Sequence, residues 1–149
     1  MVWVLVVLAT VTLVACGGDP EPLDEACLDS AGAIERALSR APAPVTLPTG
    51  TRLSACVTNA RSDADLQSAG LVLTRAADHL AEAARRGDTE AAVRLGYLVG
   101  AVRRGAQRTE GIHAQLQRRI ERATAYLDDA GPRVTSAVAR GRRAGEASG

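Results

Sequence analysis

The chain has 149 residues, 46% hydrophobic, 23% charged and 2% aromatic, with a formal charge of +1. Its length suits a single domain, and its near-neutral balance excludes a nucleic-acid or polyanion partner argued from gross charge. All 18 basic residues are Arg, Ala fills 29 positions, and there are three Cys, one Trp and no Phe.

Residues 2–15 form an uncharged apolar run, and Cys16-Gly17-Gly18 follows. The run is shorter than the ~20 residues that cross a bilayer as a helix and matches the h-region of a secretory signal, about 7–15 residues. The competing reading is a buried apolar element opening a cytosolic domain. The tetrad Leu13-Val14-Ala15-Cys16 resembles the bacterial lipobox. That resemblance implies diacylglycerol on the Cys16 sulfur and cleavage before it. Two acyl chains on one residue meet the two-signal requirement for stable anchoring.

The resemblance further implies an extracytoplasmic protein. Gly17 and Gly18 lack the Asp that retains lipoproteins at the inner membrane. The expected address is therefore the outer membrane where the organism has two, and otherwise the outer face of the plasma membrane. One feature departs from the pattern: no Arg or Lys precedes the apolar run, so only the α-amino group supplies positive charge there.

The expected organisation is a signal over residues 1–15, a tether over 16–21, a helical domain over 22–144 and a disordered tail over 145–149. Lipidation of Cys16 leaves Cys27 and Cys56, and an oxidising compartment favours a disulfide between them. Two separately buried thiols or half of a metal site are the alternatives, the latter short of soft ligands.

In chain order, Leu23, Cys27, Ala31, Ile34 and Leu38 recur at helical spacing and predict a helix over about 22–40, with Pro22 opening it. Pro42, Pro44 and Pro48 then predict an extended connection. A second helical stretch begins near Thr51, with Leu53, Cys56 and Val57 inward. Ser62 restarts or kinks it as a cap. Leu66, Leu73 and Leu80 repeat every seven residues, with Ala69, Ala76 and Ala83 between them. Arg85-Arg86-Gly87 ends that helix and Asp88 caps the next.

Ala91, Leu95, Leu98 and Val102 form one inward stripe; Ile112, Leu116, Ile120, Ala123 and Leu127 form another. Residues 89–128 read either as one long helix or, preferably, as two, broken around Gly105 to Gly111 with Thr109 as a cap. Gly131-Pro132 precedes a weak last helix over about 132–143 carrying Val134 and Val138, with Glu146 to Gly149 frayed. No period-2 pattern follows the signal, which predicts an all-α fold, an up-and-down bundle of four or five helices. From residue 16 onward only 13 Leu, 8 Val, 3 Ile and 2 Tyr are large and apolar, so Ala must fill much of a thin core. Gly96 and Gly100, four apart, favour close helix approach; flanking Arg94, Arg103 and Arg104 exclude a membrane-dimer role.

Few residues carry chemistry. Glu110 and His113 stand at i and i+3, as in di-iron bundles, but one such pair with His79 is too little for a site. No Gly-x-Ser-x-Gly, Ser-x-x-Lys or P-loop element occurs, and no enzyme activity, metal or cofactor is expected. Charge divides along the chain: residues 16–100 hold 8 Arg against 12 acids, and residues 101–149 hold 10 Arg against 5 acids. Attraction between antiparallel helix faces accounts for this simply. Alternatively, Arg103, Arg104, Arg108, Arg118, Arg119 and Arg122 face anionic lipid or cell-wall polymer.

The expected function is a non-catalytic envelope lipoprotein that binds or scaffolds another envelope protein or itself. Leu71, Val72, Val93 and Tyr97, off the main stripes, are the expected partner face. No nucleic acid or small-molecule substrate is indicated.

Overall fold

The computed structural model describes residues 22–109 and 113–149, and the chain there is predominantly helical. In order come a 3-10 turn at Glu25–Cys27, α1 (Ala31–Leu38), α2 (Leu53–Thr58), α3 (Asp63–Arg85), α4 (Thr89–Ala106), α5 (Ala114–Ala125), a 3-10 turn at Asp128–Ala130, and α6 (Pro132–Ser148). The expected signal, Cys16 and the tether lie outside the described residues. The only β pairing among those described is an isolated antiparallel bridge between Thr46 and Arg52.

Several boundaries follow from side-chain caps. Ser62 opens α3 by accepting from the Asp65 N–H at 3.0 Å, and Asp88 opens α4 by accepting from Glu90 and Ala91 at 2.9 and 3.0 Å. Gly87, at φ 94°, makes the left-handed turn between them that a β-carbon would strain. The break after α4 is real, so residues 89–128 are two helices. Thr109 closes α4 rather than capping α5, its hydroxyl donating to the Ala106 carbonyl at 2.7 Å.

Three expectations need correction. The single helix over 22–40 is divided, because Asp24 caps the first 3-10 turn through the Ala26 N–H. Ser30 then starts α1 afresh by accepting from Ala33. The Pro-rich connection is not simply extended: the Leu47 N–H donates to Thr51, the Gly50 N–H donates to Leu47, and Val45 and Leu47 are buried. The last helix is neither weak nor followed by a tail, since α6 continues to Ser148.

The central element is α4. It buries Ala91–Val93, Leu95–Val102, Gly105 and Ala106, so it is covered on nearly every side. On one side lie Ile34 and Leu38 of α1, Leu53 and Val57 of α2, and Leu73, Ala76, Ala77 and Leu80 of α3, all members of the same core. On another lies α6, parallel to α4. A Cβ built on Gly96 would overlap the Val138 carbonyl oxygen and stand 2.9 Å from the Arg142 nitrogen. Reciprocally, one on Gly145 would overlap the Tyr97 carbonyl oxygen and stand 2.9 Å from the Ala101 nitrogen, with Gly100 and Gly141 equally tight. The two backbones are in contact, which four glycines at i,i+4 spacing permit.

That approach corrects the proposed partner face. Val93 and Tyr97 are 4% and 0% exposed, and their carbonyls meet Gly141 and Gly145 of α6. Val72 packs against the core, and only Leu71 is open, at 51%. The Tyr97 hydroxyl accepts from the Val45 N–H at 2.9 Å and shares a hydrogen bond with Ser148 at 3.1 Å, tying the Pro-rich turn to the end of α6.

The glycine contact is testable by adding one carbon. Gly96→Ala is expected to lower unfolding free energy by roughly 2 kcal/mol or more through overpacking. At Gly32 a Cβ would meet only the Arg36 side chain at 3.5 Å and Ser30 Oγ at 4.0 Å, so Gly32→Ala should be neutral or stabilise by up to ~1 kcal/mol. Urea unfolding of both variants checks this, and equal midpoints would contradict backbone contact between α4 and α6.

Candidate functional site

The sulfurs of Cys27 and Cys56 are bonded, with their Cα atoms 5.4 Å apart. Both residues are fully buried. The bond joins the first 3-10 turn to α2 across 29 positions, which by loop-closure entropy contributes about 3–4 kcal/mol. It gives a core poor in large side chains a covalent tie between its N-terminal entry and its interior.

The six arginines expected to form one basic surface separate into different settings. Arg103 pairs with Glu146 at 3.4 Å. Arg104 donates to the Glu146 and Ala147 carbonyls at 2.8 and 2.7 Å, a cation on otherwise unpaired acceptors at the negative end of α6. Ser54 completes that end by donating to the Gly149 carbonyl at 2.7 Å. These bonds hold residues 146–149 to α2 and α4 and explain why no tail frays there.

Arg104 and the exposed Arg108 also line an open cleft of about 740 Å³ at the domain's N-terminal entry. Pro22, Asp24, Thr49, Thr51, Arg52 and Asn59 are among its other walls. Arg52 is an addition that sequence reasoning did not make; its place just before the apolar Leu53, at the start of α2, was the available clue. Asp24 is the one carboxylate of the cleft among the described residues. The Thr51 hydroxyl, then that of Thr49, then the Ala26 N–H hold its pKa below the ordinary aspartate value.

Arg118, Arg119 and Arg122 stand elsewhere, on the exposed face of α5. They border a groove of about 860 Å³ between α3 and α5, with Leu66, Gly70, Leu71 and Leu116 beneath and Gln67 and Gln115 beside them. Among the described residues no carboxylate lines this groove.

The two histidines are separate. His79 Nδ1 on α3 lies 2.8 Å from Glu35 on α1, largely in solvent. His113 is 3% exposed and its Nε2 donates to the Ala60 carbonyl at 2.7 Å, linking the start of α5 to the end of α2. Its Nδ1 is buried without a partner among the described residues, as is the Thr74 hydroxyl oxygen. Glu110 lies outside the described residues. Among those described, no three His, Cys, Asp or Glu converge on a metal position, and no helix is long and apolar enough to cross a membrane.

Comparison of this chain with known protein families, with curated proteins and with solved structures finds no match.

Asp24 makes stability depend on pH with a definite sign. Its folded pKa lies below the unfolded value near 3.8. Its contribution is therefore complete above that value and is lost as pH falls below it through the folded pKa. Thr51→Val removes the leading cause of the depression. It should make unfolding midpoints fall less steeply on acidification below about pH 4 than in the parent chain; parallel slopes would rule the pair out as the source.

Proposed function

We propose that this chain is a bacterial cell-envelope lipoprotein, anchored through Cys16 on the extracytoplasmic face, that works as a non-catalytic binding or scaffold module. The observation that carries the reading is the allocation of cysteines. Cys27 and Cys56 are bonded in the core, as suits an exported protein. The remaining cysteine is the one that follows the apolar run in the lipobox-like tetrad. The partner on this reading is another envelope protein or a second copy, and the address is the outer membrane where there are two. No cofactor, metal or nucleic acid enters. An up-and-down helix order belongs to the same reading, supported by the parallel course of α4 and α6 with α5 between them in sequence.

The test is the intact mass of the protein recovered from cell membranes, beside Cys16→Ser, with thiols alkylated before and after reduction. A diacylglyceryl chain beginning at Cys16, taking up two alkyl groups only after reduction, is expected. A full-length, unlipidated chain with three reactive thiols would overturn the reading.

The groove between α3 and α5 favours a second reading, as a binder of anionic lipid or cell-wall polymer. Three exposed arginines border an apolar floor with no carboxylate among the described lining residues, and guanidinium groups suit phosphate and carboxylate. Cosedimentation with purified wall polymer or anionic vesicles should weaken as salt rises, and further with Arg118→Gln and Arg122→Gln. Salt-independent or absent binding would dismiss it.

A further inference from the structure

We infer that the end of the bundle bearing Arg52, Arg104 and Arg108 docks against the anionic headgroups of the membrane that holds Cys16. The inference rests on the lipid-anchor reading above and adds to it an orientation and a contact surface. It begins from chain length. Pro22 is six residues beyond Cys16, and six residues reach at most about 20 Å when fully extended. Whatever face of the domain surrounds Pro22 is therefore kept close to the bilayer surface, at a local concentration no untethered domain would have.

That face is the cleft lined by Pro22 itself, and its charged walls are Arg52, Arg104, Arg108 and Asp24. Arg52 and Arg108 are exposed and make no ion pair among the described residues. Arg104 is half-buried and gives its hydrogen bonds to neutral carbonyls, so its positive charge is not cancelled by a carboxylate through those bonds. Among the described residues the one acid of the cleft is Asp24, which accepts from Thr51 and from the Ala26 N–H, so three guanidinium groups face one carboxylate there. Nearby Glu146 is paired with Arg103.

The described walls of the cleft are thus net cationic and include the polar side chains of Thr49 and Asn59. None of the exposed large apolar residues, Leu28, Leu71 and Tyr126, lines it. Docking would then lie at the headgroups, held by phosphate–guanidinium attraction, rather than by insertion into the acyl region. Such attraction decays within about 8 Å at physiological salt, so the short tether is what makes it count.

The experiment uses the full chain, expressed with its own signal, purified from membranes and reconstituted into vesicles. One set is phosphatidylcholine alone and the other contains phosphatidylglycerol. The mass of the preparation is measured first, then amide hydrogen exchange. Slower exchange over residues 49–59 and 104–108 on phosphatidylglycerol vesicles only, reversed by high salt, is expected. Arg52→Gln and Arg108→Gln should each reduce that slowing roughly two- to fivefold, while exchange over Leu73–Leu80 stays unchanged. Arg104 is left intact because it holds the end of α6.

A diacylated chain whose exchange is the same on both vesicles overturns the docking and leaves the anchor standing. So does protection over 115–122 in place of the expected segments, which points to the α3–α5 groove. An unlipidated chain overturns the anchor and the orientation together.

Discussion

Helices normally keep their axes 8–10 Å apart because side chains separate them. Between α4 and α6 that separation is removed by Gly96, Gly100, Gly141 and Gly145, and each backbone rests on the other. The position a β-carbon would take holds only a hydrogen directed at a carbonyl oxygen, so weak Cα–H···O contacts and dispersion replace side-chain interdigitation. The rest of the tertiary arrangement depends on this close approach. It brings Ser148 to the Tyr97 hydroxyl, the Glu146 and Ala147 carbonyls to Arg104, and Gly149 to Ser54. A chain with few large apolar side chains gains much of its cohesion this way, since dispersion grows with the number of atoms in contact.

The same approach decides which surface remains for function. With α6 on one side and α1, α2 and α3 on others, α4 has little left to offer a partner, and its aromatic residue serves to hold a loop. Exposed guanidinium is abundant. Some of it is spent internally, as at the end of α6. Arg52, Arg104 and Arg108 stand at the N-terminal cleft, and Arg118, Arg119 and Arg122 along the α3–α5 groove. These two settings differ physically: the cleft adjoins the point where the chain enters the domain and is polar, whereas the groove has an apolar floor. One charge tally over the C-terminal third cannot separate them, because Arg104 and Arg118 count alike in sequence and do different things in space.

Local chemistry was readable wherever it acts over three or four residues. Ser62 and Asp88 cap the helices that follow, and Gly87 stands at positive φ between Arg86 and Asp88. The inward stripe of α4 is buried where spacing put it, as are Ala69, Leu73, Ala76 and Leu80 of α3, while Leu66 and Ala83 are half-buried. The pairing of Cys27 with Cys56 followed from cysteine parity and an expected oxidising compartment. Where reading failed, a distant partner had overridden a local pattern. The first helix looked continuous because Leu23, Cys27, Ala31, Ile34 and Leu38 keep helical spacing, yet Asp24 turns to Thr51 and Ser30 begins α1 again. The end of α6 looked frayed because chain ends commonly fray unless tied down, and Gly141 and Gly145 lie just before it. Their match in spacing to Gly96 and Gly100 was visible, but which pairs would meet was not.

The sequence by itself determined the helical class, most helix starts and stops, and the cysteine pair. These depend on capping, proline, glycine and periodicity, which act within a turn or two of chain. Only the tertiary structure decided that α6 seats backbone-to-backbone along α4, that Val93 and Tyr97 are interior, and that the arginines part into a cleft and a groove. Those outcomes turn on contacts between residues some 40 to 50 positions apart. At such distances a glycine or an arginine carries no mark of its partner until the chain has folded.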